Sequence, residues 1–347
     1  MKNNIEKHGI VLIGSSIVDE LLPPVIPGQL LYVDAARFVP ATELVGEKVQ
    51  YSVGGMALNV AVNLAKIAGG YPIAVVGKVG SDHRAERIRT TLQQHAVCAS
   101  ALQTDTSEAT SWTQVIHIRM PDGNIERLFR HALGAMGFFT ERDVPLEVIS
   151  SYRIAMVGYG LLLPQLDLKD STYGTRLGRL LAALQDRGLM TAIDFVSPNP
   201  ENQFKFQRYR KTLPFVDVCC INEDQACSLT TLSDPRAACI ALVEQLGARI
   251  AVVHCGAAGP NYGYSKECGL VIQPNFSVSA SEYRGNAGAG DAFAAGLLHG
   301  LHQNWELLRA LKFAAGAAAI SLRDVSCTGA MQSESFILRY ISQAIES

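Results

Sequence analysis

The segment best suited to chemistry lies late in the chain: Gly285-Asn286-Ala287-Gly288-Ala289-Gly290-Asp291, followed by Ala292-Phe293-Ala294-Ala295-Gly296. Residues without bulky side chains let a backbone approach a ligand closely. The apolar run that follows predicts a helix, whose first N–H groups lack internal partners and point outward with the positive end of the dipole. Such a helix mouth favours an anion, phosphate above all. A carboxylate beside it, Asp291, offers a base for a hydroxyl that attacks the bound phosphate. The same Asp could serve only as an N-cap, its oxygen satisfying a nearby N–H. The spacing is neither that of a Walker A loop nor that of a dinucleotide fingerprint, because no GxxxxGK[ST] occurs and the glycines come late.

A second cluster is Val53-Gly54-Gly55-Met56-Ala57-Leu58-Asn59. Gly54 and Gly55 permit a tight strand-to-helix turn with exposed N–H groups, and the Asn59 amide both donates to and accepts from a hydroxyl. A plain turn followed by a helix-facing Asn fits the same residues. Asp19 follows the first apolar run and reads either as a ligand for hydroxyls or as an ordinary loop carboxylate.

Stepping along the chain, short and almost wholly apolar runs recur at Ile10–Ile13, Ile73–Val76, Ile154–Val157, Met190–Phe195, Val216–Ile221 and Ile250–His254. Such runs suit parallel strands covered on both faces. Between them Ala57, Ala61, Leu64, Ala65 and Ala68 share one helical face, as do Leu177, Leu180, Leu181 and Leu184. Beyond residue 290 the pattern is almost entirely helical, including the Ala-rich Phe313–Leu322. Strand–helix alternation followed by a helical cluster predicts an α/β fold: a doubly wound, mostly parallel sheet flanked by helices. Two segments break the rhythm. Residues 24–52 mix Pro and Val with charges, and residues 110–131 alternate around Asp122-Gly123-Asn124, a hairpin signal. Together they read either as a small β-sheet lid over a cleft or as a plain surface hairpin.

Composition excludes several classes. Of 347 residues 48% are hydrophobic and 18% charged, enough apolar material for a sizeable core. The net charge of −2 gives no electrostatic case for nucleic acid or an acidic membrane surface. Arg84, Arg87 and Arg89 read as a solvated helix face. No stretch reaches the ~18 apolar residues of a membrane span, and the N-terminal apolar run is too short for a signal peptide. The eight cysteines form no CxxC pair, so a zinc site or disulfide framework is not expected. A soluble, cytoplasmic protein is the expectation.

Gly288-Ala289-Gly290-Asp291-Ala-Phe resembles the second signature of the ribokinase-like (phosphofructokinase B-type) carbohydrate kinases, usually Asp-Thr-x-Gly-Ala-Gly-Asp-x-Phe. The Gly54-Gly55 segment, continued by Ile73-Ala74-Val75-Val76-Gly77-Lys78-Val79-Gly80-Ser81-Asp82, resembles the first. The resemblance spans roughly residues 10–340 and implies one ribokinase-like kinase domain over residues 8–347, with lid segments at about 20–52 and 108–132. It implies Gly288, Ala289 and Gly290 as the anion hole and Asp291 as the catalytic base. Asp19, Gly54, Gly55 and Asn59 would hold the acceptor. Asn222, which begins an Asn-x-x-Glu-like motif, would lie near the Mg-phosphate. His254-Cys-Gly256-Ala-Ala-Gly259 resembles a nucleotide-contacting Thr-x-Gly-x-x-Gly strand end, and Thr328-Gly329-Ala330 the loop closing over the base. Arg127-Leu-Phe-Arg-His131-Ala-Leu-Gly134-Ala135 resembles a lid-return segment. The implied cofactors are ATP and Mg2+.

The implied reaction is phosphorylation of a hydroxyl on a small sugar or sugar-like acceptor. A nucleoside is the alternative acceptor, with Phe38, Trp112 or Phe129 placed to stack on a base. A catalytically silent ligand-binding protein on the same scaffold is a further alternative. Five residues depart from the family pattern. Gly285 and Asn286 replace Asp-Thr, so potassium dependence is not expected. Gln225 stands where the motif has Glu, with Glu223 or Asp224 as substitutes, and His254 replaces Thr. Met56 replaces a frequent polar residue and, with Ile17, suggests a less polar acceptor. Because open sheet edges seek partners, pairing of two copies through the lid is expected.

Overall fold

A computed structural model describes residues 7–25, 50–119, 125–198, 202–256 and 259–346. At its centre lies β1 (Ile10–Gly14), five consecutive buried residues that pair in parallel with β4 (Ile73–Val79) and β8 (Ile154–Gly160). Outward from β4 comes β5 (Cys98–Thr104). Outward from β8 come β11 (Met190–Phe195), β12 (Val218–Asn222) and β13 (Ile250–His254), all parallel. An antiparallel hairpin, β14 (Asn261–Ser265) and β15 (Gly269–Gln273), finishes the nine-stranded sheet. All six apolar runs named from the sequence are strands of this sheet.

Side chains alternate between the two faces of a strand, and β1 shows the consequence directly. Ile10 and Leu12 join a core with α1 (Met56–Ile67), α2 (His83–Gln94), α8 (Ala289–His302), α9 (Leu307–Ser321) and α10 (Glu334–Glu346). Val11 and Ile13 join a second core on the opposite face. It is covered by α4 (Arg176–Asp186), α6 (Glu223–Thr230), α7 (Pro235–Glu244) and the one-turn helices α3 (Leu146–Ile149) and α5 (Gln203–Phe206). A two-residue pair, β9 (Lys169–Asp170) with β10 (Gly174–Thr175), precedes α4. The doubly wound α/β expectation is met. None of the helices among the described residues is long and apolar enough to cross a membrane.

The two irregular segments contribute a separate four-stranded sheet in the order β3 (Gln50–Gly54), β2 (Ile17–Val25), β6 (Trp112–Arg119), β7 (Ile125–Ala132). β6 and β7 pair antiparallel up to Arg119 and Ile125, around the Asp-Gly hairpin signal. The turn itself, Asp122-Gly123-Asn124, lies outside the described residues, as does Phe38. Asp19 is not in a loop. It sits within β2, opposite Ser52 on one neighbour and Thr113 on the other.

Of the arginines of α2, Arg87 is exposed, and Arg84 and Arg89 are half-buried. Arg84 Nη2 lies 2.6 Å from Glu20 Oε1 of β2, with both side chains largely covered, and its guanidinium stands 5.4 Å from the Trp112 ring. Arg87 stands 4.9 Å from the ring of Tyr51 in β3, and Arg89 donates to the Leu102 carbonyl at 3.0 Å. Two of the three therefore fasten the small sheet to the main domain. Removing one member of a largely covered ion pair leaves the other charge poorly compensated, which costs stability. Arg84→Ala is expected to lower the thermal unfolding midpoint, and Glu20→Gln added to it to restore part of the loss. Equal midpoints in calorimetry of wild type and Arg84→Ala would show that the pair does not anchor the sheet.

Candidate active site

Gly288 starts α8 in the left-handed region at φ 72°, and a Cβ there would stand 2.4 Å from Cys327 Cβ. Only glycine gives this helix its sharp start against the 324–330 loop. Asp291 falls in the first turn and is 4% exposed. The first-turn N–H groups of Ala289, Gly290 and Asp291 have no intrahelical partner, and the ladder begins with Ala292 donating to Gly288 O at 2.9 Å. Ala289 N–H already donates to Asn286 O at 3.3 Å, which leaves Gly290 and Asp291 as the better-placed anion donors.

The second glycine cluster is fixed by equally close contacts. Gly55 caps α1 at φ 80°, where a Cβ would meet Ser15 O at 2.5 Å. A Cβ on Gly54 would lie 2.1 Å from Asp19 Oδ2, so this glycine makes room for the Asp19 carboxylate. One turn into α1, Asn59 Nδ2 donates to Asp291 Oδ2 at 2.8 Å. Asn59 Oδ1 is buried and has no partner among the described residues. The phenol of Tyr159, at the end of β8, donates to Asp291 Oδ1. A cavity of about 440 Å³ opens here, lined by Asn59, Tyr159, Gly288 and Asp291 of the main domain and by Asp19, Val115 and Phe129 of the small sheet.

Charge is scarce in balance and plentiful in one sign. Burial pushes the Asp291 carboxyl up, while the donations from Tyr159 and Asn59 pull it down. Asp19 is pushed up to about 7, first by burial and then by the charge of Asp291. Asp194, buried at the end of β11, is pushed well above the carboxylate range by the same two causes. Tyr159 is held well above the usual phenol range by burial and by Asp291.

The remaining candidates gather at the neighbouring strand ends. Asn222 pairs in register with His254. It caps α6, accepting from Gln225 N at 2.8 Å, and Gln225 Oε1 accepts from Asn222 N at 3.0 Å. Gln225 Nε2 donates to Phe195 O at 2.7 Å, so this amide braces two strand ends and does not face a ligand. Of the two acidic substitutes, Glu223 is half-buried and pushed up by burial, and Asp224 is exposed. The His254 ring lies beside Gly290, whose Cβ would be 3.5 Å from His254 Cε1, and burial lowers it to about 4, a neutral imidazole. Gly256 adopts φ 51° with open space where a Cβ would stand, and Asn275 Nδ2 donates to the carbonyls of Gly256 and Gly259. Lys66 Nζ of α1 donates to Thr328 O at 2.6 Å and Gly329 O at 3.4 Å.

Two expectations need correction. Met56 is fully buried in the core and does not line the cavity, whereas Ile17 does. Trp112 does not line it either, because its ring is flanked by Arg84 and Arg130. Sequence reasoning also passed over Tyr159, Asp194 and Cys327. The first two lie at the C-terminal ends of strands already recognised as parallel, where open α/β sheets form their ligand crevices.

An open parallel sheet with a small β-sheet over its crevice, and a glycine-started late helix carrying an Asp, defines a phosphotransferase scaffold of the ribokinase type. The chain belongs to the pfkB family carbohydrate kinases, whose family model matches residues 28–334. It is 23% identical over 294 residues to the 5-dehydro-2-deoxygluconokinase of Listeria monocytogenes serovar 1/2a, covering 84% of this chain and 87% of that one. Over a shorter stretch of 56 residues, 16% of this chain and 17% of the relative, it is 39% identical to the 5-dehydro-2-deoxygluconokinase of Geobacillus kaustophilus. Among solved structures it is similar to Arabidopsis thaliana ribokinase complexed with ribose and ATP, with TM-score 0.73, 19% identity, and coverage of 96% and 99%. It is also similar to Xylella fastidiosa fructokinase with bound ATP, with TM-score 0.74, 21% identity, and coverage of 96% and 98%. At these identities the solved structures show the fold.

The raised Asp194 carboxyl makes a stability prediction. A carboxyl whose pKa is raised on folding keeps the native state richer in protons than the unfolded chain above about pH 4, so stability falls as pH rises above that value. Asp194→Asn, which keeps the Oδ1 that accepts Phe195 N–H at 2.7 Å, removes this slope. Its unfolding midpoint relative to wild type is expected to rise between pH 4 and pH 8. A constant difference across that range would show that Asp194 is ordinarily ionised.

Proposed function

We propose that this chain transfers the γ-phosphoryl group of MgATP to a hydroxyl of a small sugar-type acceptor, with Asp291 as the general base. One observation carries the reading: a buried carboxylate in the first turn of α8 opens onto the same cavity as Asp19 and Asn59. Asp291 takes the acceptor proton as the oxygen attacks. The N–H groups of Gly290 and Asp291, supported by Ala289 and the freedom of Gly288, stabilise the charge on the migrating phosphoryl. Asp19 accepts from acceptor hydroxyls across the space that Gly54 leaves open. Asn59 Oδ1 accepts another hydroxyl, and Gly55 aims the first turn of α1 at the acceptor.

Asn222, His254, Gly256, Gly259, Thr328 and Gly329 are assigned to the nucleotide side, adjoining the cradle through His254 on Gly290 and Cys327 on Gly288. Among the described residues no cluster of His, Cys, Asp or Glu is placed to hold a resident metal ion. Mg2+ fits as an ion carried by the triphosphate, which needs few protein ligands. Glu223, half-buried at the start of α6, is the acidic supplement assigned here, because Gln225 is turned inward. The four-stranded sheet serves as the lid that keeps water from the phosphoryl group. ATP and the sugar class agree with the names of the similar proteins, which include a ribokinase and 5-dehydro-2-deoxygluconokinases.

A nucleoside acceptor is the second reading, favoured by one observation: Phe129, an aromatic ring 58% exposed, lines the cavity from the small sheet. A panel of sugars, sugar acids and nucleosides with MgATP, read as ADP release, separates the two, and silence across the panel despite ligand binding points to a non-catalytic protein. In the active pairing Asp291→Asn is expected to fold and bind ATP yet lose ~10²–10⁴-fold in kcat. Turnover near wild type in that variant removes Asp291 from the base role. A further expectation follows from Asp19, pushed up to about 7. Below that pH it is protonated and a poorer acceptor for hydroxyls, so the acceptor KM should rise as pH falls from 8 to 6. In Asp19→Asn the KM should be high and flat, and a parallel pH dependence in both proteins would exclude Asp19 as its origin.

A further inference from the structure

Asp291 is surrounded by titratable groups from every element packed against it. Tyr159 comes from β8, Asp194 from β11, Asp19 from β2 and Cys220 from β12. Cys327 reaches the same place from the 324–330 loop, and His254 stands behind Gly290 from β13. His131 of β7 lines the cavity, with Nδ1 2.8 Å from Thr113 Oγ1. Among the described lining residues there is no Lys or Arg. A carboxylate in this setting is short of positive charge. The side-chain donors that reach it are neutral: the Asn59 amide on Oδ2 and the Tyr159 phenol on Oδ1.

We propose that Tyr159 is a positioning residue for phosphoryl transfer: its hydroxyl holds Oδ1 of Asp291 while Asn59 holds Oδ2, fixing the carboxylate in one orientation and stabilising its negative charge. The inference rests on the reading of Asp291 as the base. Tyr159 is well placed for this task because its backbone is itself pinned, with its N–H donating to Ser15 Oγ at 3.1 Å. The phenol keeps its own proton throughout, since burial and the adjacent charge oppose its ionisation. It therefore supports the base and does not compete with it for the acceptor's proton. Each carboxylate oxygen accepts more than one hydrogen bond, so an acceptor hydroxyl can join without displacing the phenol.

A Phe side chain would fill the same space and lose only the hydroxyl. Losing a donor to a buried carboxylate raises that carboxyl's pKa, by about one pH unit for a hydrogen bond to a charged group. In Tyr159→Phe the acid limb of kcat/KM, measured with the acceptor found in the MgATP panel, is expected to move up by about one unit. That is about a tenfold loss on the acid side, recovered at alkaline pH, with ATP affinity unchanged. The Asp291 carboxyl is also read directly, as the pH-dependent infrared difference between the protein and its Asp291→Asn counterpart, in both Tyr159 backgrounds and without turnover. Should Tyr159→Phe fail to fold, 3-fluorotyrosine at position 159, a stronger donor, is expected to move the same titration down. A limb and a carboxyl titration that stay put in Tyr159→Phe, with Asp291→Asn inactive, overturn this inference alone. An active Asp291→Asn enzyme overturns the base reading and the positioning role with it.

Discussion

A carboxylate buried at the mouth of a helix needs its charge answered by something other than water, and the site is organised around that need for Asp291. Taking such a group out of solvent costs several kcal/mol unless hydrogen bonds compensate. The positive end of α8 contributes ~0.3–2 kcal/mol, and Tyr159 and Asn59 add direct donors. Asp19 and Asp194 work in the other direction, and both carboxyls are pushed up, first by burial and then by the charge of Asp291.

Helix α1 extends this arrangement beyond the base. Asn59, Asn63 and Lys66 fall three and four residues apart, one face of an otherwise apolar and largely buried helix. Asn59 reaches Asp291, Asn63 Nδ2 donates to Cys327 O at 3.3 Å, and Lys66 donates to Thr328 O at 2.6 Å. A single rigid element therefore sets the carboxylate and the loop that packs on Gly288. The close contacts at Gly54, Gly55 and Gly288 act in the same sense: Gly55 and Gly288 let the chain pass close to Ser15 and Cys327, and Gly54 leaves room for the Asp19 carboxylate. Side chains at these three positions would separate the parts that α1 aligns.

Physical context decides which of these features the sequence displays. Strands inside the sheet announce themselves because both faces are covered, as in the five buried residues of β1. The edge strands do not: β5 reads Cys-Ala-Ser-Ala-Leu-Gln-Thr with three of its seven residues exposed, and β15 at the other edge has a single buried residue. Asp19 was placed after the first strand by its spacing, but its membership in a second sheet depends on pairing with residues more than thirty and ninety positions away. The glycine-rich segments were legible because small residues before a helix have few other uses. Tyr159 and Asp194 were not, since a lone polar residue at a strand end acquires its neighbours only when β8 and β11 are set side by side.

The departures at 225 and 254 show how a site made from backbone tolerates change in its side chains. Gln225 spends its amide within the fold, capping α6 and tying Phe195, so the missing carboxylate at this position is replaced by a structural brace. His254 presents a neutral ring against Gly290 and so adds no charge to the cradle. In the proposed reaction the phosphoryl group is met mainly by peptide N–H groups at the start of α8. Their position depends on the path of the chain through Gly288 and not on which side chains stand at 225 or 254. Substitutions at the rim can therefore alter nucleotide contacts without dismantling the place where the phosphoryl moves, whereas a side chain added at Gly288 would strike Cys327 and shift the helix start itself.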